Sequence, residues 1–162
     1  MSKIILKEMR WIMDEKRKIA ASWRQQHNFP PSKVCLNVEE AVLKYGRGYI
    51  GIERPKGFRG QRARGQCFAN AADTALRGRG QYVEGYALNR PDHLHMVFHH
   101  AWITLDGVHA IDQTLPDAPA HDYFGILFSN DVLNKAFGTL GYYGVLGLLL
   151  EQPEKASEIL GL

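Results

Sequence analysis

The feature that most constrains this chain is a pair of strand-like runs, Met96–Leu105 and His109–Leu115, separated by the turn signal Asp106-Gly107. Apolar, β-branched and aromatic residues interrupted by Asp-Gly predict a β-hairpin. A third run of the same character, Tyr82–Leu88, precedes them. In Met96–Leu105 the side chains of Phe98, His100, Trp102 and Thr104 share one face, and those of His99, Ala101 and Ile103 share the other, because successive residues of a strand point to opposite sides.

Helical patterns surround this sheet. Ile5, Met9, Ile12, Met13, Ile19 and Trp23 recur near helical spacing, which predicts an amphipathic helix over residues 4–23. Pro30-Pro31 ends it, and Asn37 followed by Glu39 and Glu40 predicts a second helix start. Residues 46–65 are rich in glycine and carry Arg47, Arg54, Lys56, Arg59, Arg62 and Arg64 against Glu53. They read as a long exposed loop with a short strand at Tyr49–Glu53. Cys67–Leu76 has no Gly or Pro and predicts a helix beginning at the cysteine. Beyond Pro119 helical patterns return at Asp131–Phe137, with Asn130 as cap, at Tyr142–Leu150 and at Pro153–Leu160.

The order of helices, loop, helix, small antiparallel sheet and helices is an α+β pattern. At 162 residues, 45% of them apolar, it suits one domain over residues 1–162. Its core spans about residues 35–128, flanked by helical segments at 1–28 and 129–162. A formal charge of +3 is too small to imply a nucleic-acid partner by itself. The two cysteines cannot staple a small secreted domain. The charged residues of the first helix rule out a signal-like apolar run, and the apolar stretch Tyr142–Leu150 is far shorter than the roughly 20 residues that span a bilayer. A reduced, cytoplasmic setting with no membrane partner is expected.

Chemistry concentrates at Cys67. A thiol at a helix N-terminus meets unpaired N–H groups and the positive end of the helix dipole, both of which favour thiolate, the nucleophilic form. Such a nucleophile needs a base within hydrogen-bond reach and a third group to orient that base. The hairpin supplies candidates for both, because across the Asp106-Gly107 turn Asp112 falls opposite or diagonal to His100.

His100-Ala101-Trp102, then Asp106-Gly107, then Ile111-Asp112-Gln113-Thr114 resembles the His-Ala-Trp and Asp-Pro-Thr signature of transglutaminase-like domains, relatives of the papain-like cysteine proteases. Tyr82-Val83-Glu84-Gly85-Tyr86 and Tyr123-Phe124-Gly125-Ile126 are similar to stretches in bacterial and phage members. The resemblance runs from Gly65 to Gly125. It implies a papain-like fold in which the cysteine helix packs on a small antiparallel sheet. It also implies that Cys67 attacks a carboxamide, His100 moves the proton and Asp112 holds His100. Gln113 stands where that family usually has proline. Gln61, six residues before the cysteine, has the spacing of the papain-like oxyanion donor. Gln66, Asn70 and Trp102 are further candidates for oxyanion or substrate contact, with Trp102 equally suited to packing beside His100 and Asn70 to bracing its helix.

The expected reaction is acyl transfer on an amide of a protein, peptide or small molecule, through a thioester, with hydrolysis, deamidation or transamidation as outcomes. No cofactor is expected. His93, His95, His99 and His100 invite a metal reading. Neither cysteine is spaced to join them, however, and His99 and His100 face opposite ways, so no metal site is expected. Cys35 lacks such company and reads as core. The alternative is a non-catalytic binding module in which the basic loop 47–64, with Tyr45, Tyr49 and Phe58 interleaved, contacts nucleic acid or an acidic protein. The oligomeric state is not encoded in these patterns.

Overall fold

The computed structural model describes residues 3–27, 37–58, 63, 65–89 and 96–161. In chain order the elements are α1 (Lys3–His27), α2 (Val38–Tyr45), β1 (Arg47–Ile52), α3 (Cys67–Leu76), β2 (Gln81–Asn89), β3 (Met96–Thr104), β4 (His109–Ile111), a 3-10 turn (Ala118–Ala120), β5 (His121–Phe128), α4 (Asn130–Leu140), α5 (Leu148–Glu151) and α6 (Pro153–Leu160). The strands form a closed barrel in the order β1-β4-β3-β2-β5.

This corrects the expected fold. The transglutaminase-like, papain-like arrangement of a cysteine helix on a small antiparallel sheet is replaced by a five-stranded barrel, in which β1 and β4 pair in parallel. Two elements make the difference. His121–Phe128, to which no element was assigned between Pro119 and the helix expected at Asp131–Phe137, is a strand pairing with both β2 and β1. Arg47–Ile52, expected as a short strand at Tyr49–Glu53 within a long loop, bridges β4 and β5 and closes the circle.

Closure demands a tight crossing of β2 and β5, and glycine permits it. Gly85 faces Gly125 in register. A Cβ on Gly85 would lie 2.3 Å from the Phe124 carbonyl oxygen, and one on Gly125 would lie 2.6 Å from that of Glu84 and 2.7 Å from the Trp102 ring. The backbones can approach only because neither residue has a side chain.

β2 is buried on both faces and sorts its side chains between two cores. Val83 and Ala87 point into the barrel with Tyr49, Trp102, Ala110, Ala118 and Tyr123. Tyr82, Tyr86 and Leu88 point outward into the larger core beneath the helices, with Ile5, Met9, Val42, Ala72 and Leu146. Each large apolar side chain so buried contributes about 1.5–3 kcal/mol.

The helices follow their caps. Asn37 and Glu40 form a reciprocal capping box at α2, which satisfies two orphan N–H groups. α4 is capped by Ser129, not Asn130, and ends on Gly141 with φ 77°, a left-handed cap that fits glycine. Of the expected helix at Tyr142–Leu150 only residues 148–150 are helical, and α5 adds Glu151 beyond them. Gly144, at φ 148°, keeps the preceding residues out of the helix.

Candidate active site

α3 packs against β3 and β2, and Cys67 is its first residue. The helix is stitched to the segment after β4 by buried polar side chains. Asn70 Nδ2 donates to Thr114 Oγ1 and to the Ala63 carbonyl, both at 3.0 Å. Thr74 Oγ1 donates to Gln113 Oε1 at 2.6 Å. Gln113 is thus a buried brace at the place where the resembled family has proline. These bonds set the height of α3 relative to the neighbouring residue, Asp112.

Ile103 pairs with Ile111, so Asp112 falls just beyond the end of β4, diagonal to His100. Both lie out of solvent, His100 at 2% exposure and Asp112 at 0%. His100 Nε2 is 2.6 Å from Asp112 Oδ2. The other oxygen, Oδ1, accepts from the backbone N–H groups of Thr114 and Leu115 at 2.8 and 2.9 Å. Tyr123 donates its hydroxyl to Oδ2 at 2.9 Å. The carboxylate accepts four hydrogen bonds, which a buried charge needs.

With Nε2 committed to Asp112, the remaining ring nitrogen is Nδ1. The Cys67 thiol lies within hydrogen-bonding reach of the ring. Burial pulls the His100 pKa down, but the hydrogen bonds and charges of Asp112 and Cys67 outweigh it and raise the value to about 9. Asp112 is held below the usual carboxylate range. Burial there works upward, and the bond and charge of His100, with the Leu115 and Thr114 N–H groups, overcome it. The arrangement thus favours a charged imidazole between a carboxylate and a sulfur. Such an ion carries a proton ready for a leaving group.

The ring is boxed by aromatics. Phe98 meets it edge-on at 5.5 Å, and Trp102 stacks at 6.4 Å. Trp102 is fully buried inside the barrel, so it packs behind His100 and presents no surface to a substrate. Gln66 is exposed as the α3 N-cap, with no capping bond from its side chain. Asn70 is the buried brace described above. Gln61 lies outside the described residues, as do Cys35, Arg59, Arg62, Arg64, His93 and His95. In the remainder of the basic stretch, Arg47 Nε donates to Tyr49 OH at 3.0 Å. Tyr49 is buried against Trp102, so that ring is not open for base stacking.

His99 lies on the face of β3 opposite to His100. Its ring stacks on Tyr86 and meets Phe68 edge-on. Its Nε2 is 3.1 Å from Glu84 Oε1 but lacks hydrogen-bond alignment. Glu84, fully buried under the helices, accepts from Tyr82 OH at 2.8 Å and from the N–H groups of Val145 and Leu146 at 2.6 and 3.2 Å. It anchors the segment before α5 to the barrel. A cleft of about 320 Å³ opens beside Asp112, bordered by Ile52, Arg54, Leu115, Asp117 and Pro119. Neither Cys67 nor His100 lines it. Among the described residues no cluster of His, Cys, Asp and Glu could hold a metal ion, and no helix is long and apolar enough to cross a membrane.

Tyr123, Gln113 and Thr114 carry roles at this site that sequence reasoning did not assign. An alternation Tyr123, Gly125, Leu127 facing one way was the available signal, and it required recognising β5 as a strand. No protein-family model, curated protein or solved structure matches the chain.

Proposed function

We propose that this protein is a cysteine-dependent acyl-transfer enzyme acting on amide bonds, with Cys67 as nucleophile, His100 as proton carrier and Asp112 as the group that orients His100. The observation that carries the reading is the 2.6 Å contact between His100 Nε2 and Asp112 Oδ2, made on a ring that also reaches the Cys67 thiol. It rests on these side chains and not on the fold, since unrelated folds host the same constellation.

The thiolate Sγ attacks the carbonyl carbon and forms a C–S bond, leaving the oxygen as an oxyanion. The N–H groups of the first turn of α3 have no intrahelical acceptor and would hold that oxyanion. The His100 imidazolium passes its Nδ1 proton to the departing nitrogen as the C–N bond breaks, giving a thioester and an amine. Neutral His100 then takes a proton from water or an acceptor amine, whose attack breaks the C–S bond and returns the thiolate. Asp112 keeps the ring in the tautomer that these steps require. A protein, peptide or small amide is the substrate class. The reading goes with a reducing, cytoplasmic setting, in which a thiolate survives.

Iodoacetamide treatment across pH, with the adducts located by mass spectrometry, tests the reading. Cys67 is expected to be alkylated near neutral pH faster than Cys35, and Cys67→Ala to abolish acyl release from p-nitrophenyl acetate. Equal reactivity of the two thiols would remove the nucleophile from the proposal.

A further inference from the structure

Tyr123 and His100 meet the same oxygen of the same carboxylate. The Tyr123 hydroxyl donates to Asp112 Oδ2 at 2.9 Å, and His100 Nε2 lies 2.6 Å from that atom. Oδ1 is occupied by the Thr114 and Leu115 N–H groups, so neither donor can move to the other oxygen without displacing a backbone bond. Tyr123 is 1% exposed, and its ring is fixed against Trp102 at 5.0 Å. Burial, followed by the Asp112 charge, pushes its ionisation far above the ordinary range, so it remains a donor.

We propose that Tyr123 is a positioning residue of the Cys67–His100–Asp112 site, which by sharing Asp112 Oδ2 keeps the His100 ring less basic than Asp112 alone would make it. The assignment rests on the acyl-transfer reading of the same site. Its consequence is a balance between half-reactions. Acylation needs charged His100 to protonate the leaving nitrogen. Breakdown of the thioester by water needs the neutral ring, which takes the proton of water as the C–O bond forms and the C–S bond breaks. Near neutral pH the neutral ring is already the minor form, and a more basic ring makes it scarcer still and slows the second step.

The titratable groups around the ring come from several elements. Cys67 approaches from α3 and Asp112 from the end of β4. Tyr123 and His121 come from β5, their rings 6.3 Å apart, and the charge of Asp117 reaches Tyr123. Among the described residues only Tyr123 shares Oδ2 with His100, and it can be altered without changing ring volume.

The test uses Tyr123→Phe in the full chain, with the His100 ring titrated by NMR and acyl turnover followed with p-nitrophenyl acetate. The His100 midpoint should rise by about half to one pH unit, roughly 3–10-fold tighter proton binding. The burst of p-nitrophenol should persist while steady-state release at pH 7 falls by a similar factor. In an Asp112→Asn background, Tyr123→Phe should leave the midpoint where Asp112→Asn alone places it, because the effect travels through the carboxylate. Replacement of Tyr123 by 3-fluorotyrosine, a stronger donor, should move the midpoint down, and it serves if the phenylalanine variant fails to fold. An unchanged or lowered midpoint in Tyr123→Phe, or equal shifts in both backgrounds, would overturn the proposal. Absence of a burst in the parent would instead overturn the acyl-transfer reading, and the ring titration would still decide the coupling of Tyr123 to His100.

Discussion

Replacing Asp112 by asparagine keeps the shape of the site and removes its charge. The new Oδ1 can still accept from Thr114 and Leu115, as the carboxylate oxygen does now. The amide nitrogen would face His100 Nε2 and Tyr123 where an acceptor stood. In the parent, His100 is raised from 6.5 to about 9, so at pH 8 the ring is charged over neutral by roughly 10 to 1. Asp112 supplies the first of the upward contributions, and burial opposes them. Without the carboxylate the midpoint should fall toward 6.5, giving a ratio of roughly 1 to 30 at pH 8, a swing of about 300-fold or about 3 kcal/mol. The neutral ring must also carry its proton on Nδ1, the tautomer opposite to the one that Asp112 selects by accepting at Nε2. Acyl transfer should therefore drop by about 10³–10⁴. Loss of fold stability should be only about 1–3 kcal/mol, because the backbone donors keep an acceptor. Ring-proton NMR between pH 5 and 10 reads the midpoint, and p-nitrophenyl acetate turnover reads the rate. A midpoint within about half a unit of the parent would refute the assignment of Asp112 as the source of His100 basicity.

The same pairing predicts how stability depends on pH. His100 has a folded value above its unfolded one, so its contribution is fully present below 6.5 and is lost as pH rises through about 9. For Asp112 the folded value is depressed, so its contribution is present above 3.8 and is lost as pH falls through the folded value. Urea unfolding should therefore show a midpoint that declines between pH 6.5 and 9, by an amount that Asp112→Asn largely abolishes; a flat profile in the parent would contradict the pairing. Away from the triad, Glu84→Ala should cost about 3 kcal/mol or more, since it leaves the Val145 and Leu146 N–H groups and the Tyr82 hydroxyl buried without their acceptor. Hydrogen exchange at Val145 and Leu146 should accelerate with it, and unchanged exchange would show that Glu84 does not anchor that segment.

Local signals carried the elements that stand on their own. Cys67–Leu76 and Pro153–Leu160 are helices over the residues that capping and composition mark out, and Asn37 caps α2 through a neighbour three residues on. The barrel depends on pairings that no local window contains. β1 gains its partners from segments some sixty and more residues away, His109–Ile111 and Asp122–Gly125. β5 lies between Pro119 and the Ser129 cap of α4, and it is buried along most of its length, so the clean apolar–polar alternation that marks a half-exposed strand is missing.

The site divides along the same line. Cys67, His100 and Asp112 could be named as candidates because each belongs to an element with a strong local signature: a helix start, and the two arms of a hairpin around Asp106-Gly107. Tyr123 escaped because its role exists only after β5 closes the barrel against β2 and β1 and brings the hydroxyl beside the Asp112 carboxylate. Gln113 escaped for a different reason. Where a proline would stiffen the turn through its own ring, this chain fixes the turn by hydrogen-bonding Gln113 to Thr74 on the cysteine helix. The departure from the resembled signature therefore moves the rigidity from the backbone into a contact between two elements, and it ties the carboxylate to the same helix that carries the thiol. The proposed triad is only as well aligned as the packing of α3 on the barrel, so substitutions at Asn70 and Thr74, which brace α3 against Thr114 and Gln113, bear on the geometry at Cys67.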